Sequence, residues 1–104
     1  MAETYDRDQW GVIQALDALG TTDDAIAASL KALGIDGERC MSAACPIANY
    51  IRSVFGRVDV DVDPGLITVY GLDEHVSVWP EKPLVDFIEH FDAQVYPDLI
   101  KESA

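Results

Sequence analysis

Cations are scarce in this sequence: 7 Lys or Arg stand against 19 Asp or Glu, a formal net charge of −12 over 104 residues. Sequence-independent binding to nucleic acid or to an anionic membrane surface draws on Lys and Arg, so neither is expected as a direct partner. Long apolar runs are also missing, and nothing approaches the roughly 20 residues that cross a bilayer. The opening Met1-Ala2-Glu3-Thr4-Tyr5-Asp6 has neither the basic start nor the apolar stretch of a secretory signal. A cytoplasmic protein without membrane association is the resulting expectation. Cysteine is nearly absent too, with only Cys40 and Cys45. Their spacing is not Cys-x-x-Cys, so a thioredoxin-type motif has no support. Reduced thiols are expected in the cytoplasm, and a local disulfide between the two stays open.

Apolar residues are plentiful, at 49% of the chain. That is enough for one domain over residues 1–104 with a full core and no need of disulfides or metal. Val12, Ile13, Leu16 and Leu19 recur at helical spacing and predict a first helix over Asp8–Leu19, ended by Gly20. Thr21-Thr22-Asp23-Asp24 is an N-terminal capping signature for a second helix reaching Leu33, with Ile26, Ala27, Leu30 and Leu33 inward and Gly34 as its stop. After the irregular stretch from Ile35 to Ala44, Pro46 suits the first turn of a third helix with Ile47, Ile51, Val54 and Phe55 as its stripe.

The period then changes from 3.6 to 2. Arg57-Val58-Asp59-Val60-Asp61-Val62-Asp63 alternates strictly and reads as a half-buried strand. Pro64-Gly65 turns into a second strand, Leu66–Tyr70; Gly71-Leu72-Asp73-Glu74 turns into a third, His75–Trp79. A last helix over Leu84–Asp92 points Leu84, Val85, Ile88 and Phe91 inward, and a further helical turn is expected around Asp98–Lys101. Three helices, a three-stranded antiparallel meander and a closing helix packed on one sheet face make an α+β fold.

Chemical motifs are thin. Asp59-x-Asp61-x-Asp63 begins like a calcium loop, but Pro64 stands where that loop needs glycine and Tyr70 where it needs a bidentate Glu. Cys40, Cys45, His75 and His90 lack the paired spacing of a zinc site, so no metal or other cofactor is expected. Cys45 precedes a helix N-terminus, where a thiolate is stabilised, which makes it the candidate reactive thiol. A nucleophile there needs His75 or His90 as its base, and the apolar neighbours Ala43, Ala44, Pro46 and Ile47 argue for burial. A DNA-reading second helix is discounted, because Lys31 is its sole cation.

The stretch Leu19-Gly20-Thr21-Thr22-Asp23-Asp24-Ala25-Ile26-Ala27-Ala28-Ser29-Leu30, continuing to Cys45-Pro46-Ile47-Ala48-Asn49-Tyr50, resembles small, mostly uncharacterised cytoplasmic proteins of actinobacteria and their phages. The resemblance implies a bacterial or phage setting and a regulatory or host-interaction role; it transfers no site residue.

The acidity is uneven. From Arg57 onward there are 11 acids against 3 bases, a balance of −8, and residues 1–56 carry the other −4. Alternation sets Asp59, Asp61 and Asp63 on the strand face opposite the valines, with Tyr70, His75 and Trp79 as candidate neighbours. These six residues form the expected interaction surface, suited to a protein partner with a basic surface. The leading expectation is a non-enzymatic interaction or regulatory module, with a homodimer through an open sheet edge as a further option. Two alternatives stand beside it: a nucleic-acid mimic that inhibits a DNA-binding protein, and a small thiol-dependent enzyme using Cys45.

Overall fold

The computed structural model describes residues 7–71 and 75–100. The sequence start, most of the turn over Gly71-Leu72-Asp73-Glu74 and Lys101 lie outside them. The elements run α1 (Arg7–Asp17), α2 (Asp23–Ala32), α3 (Pro46–Phe55), β1 (Asp59–Asp63), β2 (Leu66–Tyr70), β3 (Val76–Val78), α4 (Lys82–Asp92) and a 3-10 turn, Pro97–Leu99. This is the α+β order read from the hydrophobic periods.

The ends of the elements differ from expectation for local reasons. α1 stops before Leu19 because its last turn tightens, with the Leu19 N–H reaching Leu16 O three residues back at 3.1 Å. α2 starts where the cap dictates: Thr22 has extended backbone and its Oγ1 accepts from Ala25 N at 3.0 Å. Gly34 follows in the left-handed region, at φ 72°. α4 begins two residues early, since Pro83 sits inside its first turn, where no N–H is needed. Among the inward residues, Leu33 and Val54 turn out exposed, and Phe87 is buried where Val85 was expected and is only half-buried. Each error is one of phase: Leu33 falls on the C-cap of α2, and α3 buries Ala48 and Tyr50 instead of Val54.

The sheet order is β1-β2-β3, antiparallel throughout. Its register places Val60 opposite Val69 and Val69 opposite Val76, while Val62 faces Ile67 and Ile67 faces Val78. All six are buried and make the inner face. α3 packs on β1 and α1 on β3, while α4 closes the same core chiefly against α2. Phe87 and Phe91 are buried with ring centres 6.0 Å apart, and Tyr96 stacks on Phe87 at 5.4 Å.

The irregular segment 35–45 holds these layers together. Gly37 N–H donates to Leu99 O at 2.9 Å, and Glu38 N–H to Ala44 O at 2.8 Å. Asn49 of α3 donates to Asp36 O at 2.7 Å, and Arg52 to Ala43 O at 2.7 Å. Asp92, closing α4, accepts from Cys40 N through its carboxylate and from Arg39 through its carbonyl, both at 2.9 Å. The segment also reaches the sheet edge, where Val62 N–H of β1 donates to Ser42 O at 2.9 Å.

Gly37 lies so close to the Cys45–Pro46 peptide that a Cβ there would meet Cys45 C and Pro46 N at 2.5 Å. The neighbouring atoms are backbone and cannot yield as a side chain does. Gly37→Ala is therefore expected to cost about 3 kcal/mol or more. Gly65→Ala, in an exposed turn with nothing within 4 Å of the added carbon, should stay within about 0.5 kcal/mol of wild type. Urea unfolding of the two variants checks the contrast.

Candidate functional site

The pleat sends alternate residues to the outer face of the sheet, opposite the valines. Register aligns Asp59 with Tyr70, Asp61 with Thr68 and Ser77, and Asp63 with Leu66. All three carboxylates thus stand on edge strand β1, with neutral side chains on the two strands beside it. Tyr70 is half exposed, and the His75 ring lies 5.9 Å from its ring. In the middle row the Thr68 and Ser77 hydroxyls sit 3.4 Å apart, with Thr68 buried. Asp59, Tyr70 and His75 are brought together at one end of this face.

Trp79 goes elsewhere. It lies one residue past β3, is 81% exposed, and lines a groove with residues of α1 and the start of α4. It does not fold under the final helix.

Cys45 is the N-cap of α3, as its position before Pro46 implied, yet it is 8% exposed. Burial pushes its thiol up from the ordinary value of 9.0, and the Asp92 carboxylate adds to the rise. The N–H groups of Ala48 and Ile47 act in the opposite direction and are outweighed. Cys45 and the exposed Cys40 are both free thiols and line one cleft of about 260 Å³ with Met41, Phe87, Phe91 and Asp92. No histidine lines that cleft. Among the described residues, no group of three or more His, Cys, Asp or Glu side chains is arranged to hold a metal ion.

His90 instead joins a cluster that the sequence did not reveal. Its Nδ1 lies 2.5 Å from Asp23 Oδ2, while the Tyr96 hydroxyl points at Asp23 (2.9 Å) and Asp24 (2.8 Å). The bonds from His90 and then Tyr96 hold the Asp23 carboxyl below its ordinary 3.8. Burial, with the two carboxylates, pushes the Tyr96 hydroxyl well above its ordinary 10.0. The four residues clasp the start of α2 to the end of α4. Asp23 and Asp24 were legible as helix-start acids, but no spacing linked them to residues 67 to 73 positions away.

No family model, curated protein or solved structure matches the chain. Function is accordingly read from this chain's own geometry.

Two outcomes follow. With iodoacetamide at neutral pH, Cys40 should react first and Cys45 about tenfold slower than a free thiol until the protein unfolds; mass spectrometry of the adducts checks this. The clasp should shape stability at both ends of the pH range. Asp23, with its lowered folded value, contributes above pH 4 and loses that contribution as pH falls through it; Tyr96, with its raised value, contributes fully below pH 10 and loses it above. Tyr96→Phe should therefore lower the unfolding midpoint from pH 5 to 9, with the gap to wild type shrinking above pH 10.

Proposed function

We propose that this chain is a small non-enzymatic protein-interaction module with a regulatory role in a bacterial or phage cytoplasm. Its docking surface is the outer sheet face, and its partner presents a basic surface. The observation that carries the reading is the row in which Asp59 stands opposite Tyr70, with the His75 ring against Tyr70. A half-exposed aromatic flanked by carboxylates combines an anchor that buries apolar area with charges that steer and orient a cationic partner.

The alternatives have less behind them. Nucleic-acid mimicry needs charge at phosphate density. Three carboxylates at alternate positions of one edge strand form a single row of about 14 Å, not the continuous acidic ridge that the phosphates of two strands present. The neighbouring Thr68 and Ser77 add none. A thiol enzyme needs Cys45 ionised beside a base, whereas its thiol is pushed up by burial in a cleft without histidine. Dimerisation through a sheet edge competes with existing bonds, because Val62 N–H of β1 is held by Ser42 O and Ser77 O of β3 accepts from Gln9 at 2.9 Å.

Affinity capture from a bacterial or phage-infected host, followed by titration of the purified partner, tests the reading. Asp59→Lys with Asp61→Lys is expected to weaken binding at least about tenfold and to flatten its salt dependence, and Tyr70→Ala to raise the off-rate. A partner indifferent to both changes would sink it.

A further inference from the structure

A second candidate surface shares none of Asp59, Asp61, Asp63, Tyr70 or His75. A groove of about 770 Å³ runs between α1, the α1–α2 turn and the connection from β3 to α4. Ile13 and Leu16 of α1 and Pro83 and Leu84 of α4 line it, with Trp79 and Pro80 on the connection. Pro80 fixes φ in that connection and Pro83 in the first turn of α4, so this part of the apolar wall is restricted before anything binds and less ordering entropy opposes docking. Trp79, at 81% exposure, is the most exposed large apolar side chain among the described residues. A tryptophan spends water-exposed apolar area in this way at protein interfaces, where it anchors a partner.

Charge decides which partner. Asp17 and Glu81 stand on the groove, and neither takes part in an ion pair among the described residues. Lys82, the one cation lining it among the described residues, is already bonded to Asp86 at 3.0 Å. A second copy of the chain would bring the same two carboxylates and a net charge of −12 against its own kind. We infer that the groove takes a basic amphipathic segment of another protein, its apolar side chains packed against Trp79 and its Lys or Arg residues meeting Asp17 and Glu81.

The site is independent of the sheet face, and the test separates them. The probe is an 18-residue peptide of Leu and Lys with leucines at helical spacing, compared with a scrambled peptide of equal composition that has no apolar face. Titration is read calorimetrically at 150 mM salt. The patterned peptide should bind at least tenfold tighter than the scrambled one. Trp79→Ala should remove most of that advantage, and Asp17→Lys with Glu81→Lys should weaken binding about tenfold. Asp59→Lys with Asp61→Lys should leave it within twofold. Trp79 is so exposed that its replacement does not threaten the fold, and the unfolding midpoint of each variant verifies this. Equal binding of the two peptides would mean that overall charge alone attracts them, and would overturn the inference. So would a peptide that ignores Trp79→Ala, or one weakened as much by the Asp59 and Asp61 reversals as by Trp79→Ala. A protein that sediments alone as a dimer, and as a monomer after Trp79→Ala, would give the groove to a second copy and overturn it as well.

Discussion

The close passage of Gly37 against the Cys45–Pro46 peptide is the constraint on which the other contacts depend. It brings segment 35–45 near enough for its backbone to bond the tail at Leu99, while neighbouring residues bond α3, the end of α4 and the edge of β1. None of these elements is adjacent to all the others in sequence. A short stretch without regular structure thus does the joining that a longer helix or a fourth strand does in larger folds. Where the segment is buried, at Gly37, its backbone N–H is paired, with Leu99 O.

That joint also explains the cleft holding the two cysteines. Cys40 adopts φ 57°, unusual for a residue with a side chain, and its N–H is held by the Asp92 carboxylate. Cys45 lies on the far side of the turn, below the surface. The helix-start environment that favours a thiolate is present, but desolvation is stronger, in line with the burial that the neighbours Ala43, Ala44, Pro46 and Ile47 argued for.

Periodicity made most of the architecture legible. Alternating Val and Asp defined β1 and its two faces, and leucines and isoleucines at helical spacing placed all four helices. The turn at Pro64-Gly65 separated the first two strands, and the structure supplies their register. Phase at helix ends was less legible, as Leu33, Val54 and Val85 show, because one residue of rotation decides between core and solvent. The joint at Gly37 had no periodic signal at all, and a glycine chosen for proximity looks like any other glycine. The candidate surface was readable for Asp59, Asp61, Asp63 and Tyr70, which share a strand pattern. Trp79 shared the same parity yet left the group, since parity has no meaning once the strand has ended. The clasp of Asp23, Asp24, His90 and Tyr96 depends on α2 and α4 meeting, which only tertiary structure supplies.

Several of the fastenings that side chains make between elements end on neutral backbone carbonyls. Tyr50 reaches Ala15 O, Ser29 reaches Leu19 O, Gln9 reaches Ser77 O and Asn49 reaches Asp36 O. Such bonds do not depend on the ionisation of a carboxylate and are little weakened by salt. The carboxylates of β1 have no part in them. The outer carboxylates of β1 and the bonds that fasten the elements therefore draw on separate sets of atoms, and the acidic face can be rewritten without renegotiating the scaffold beneath it.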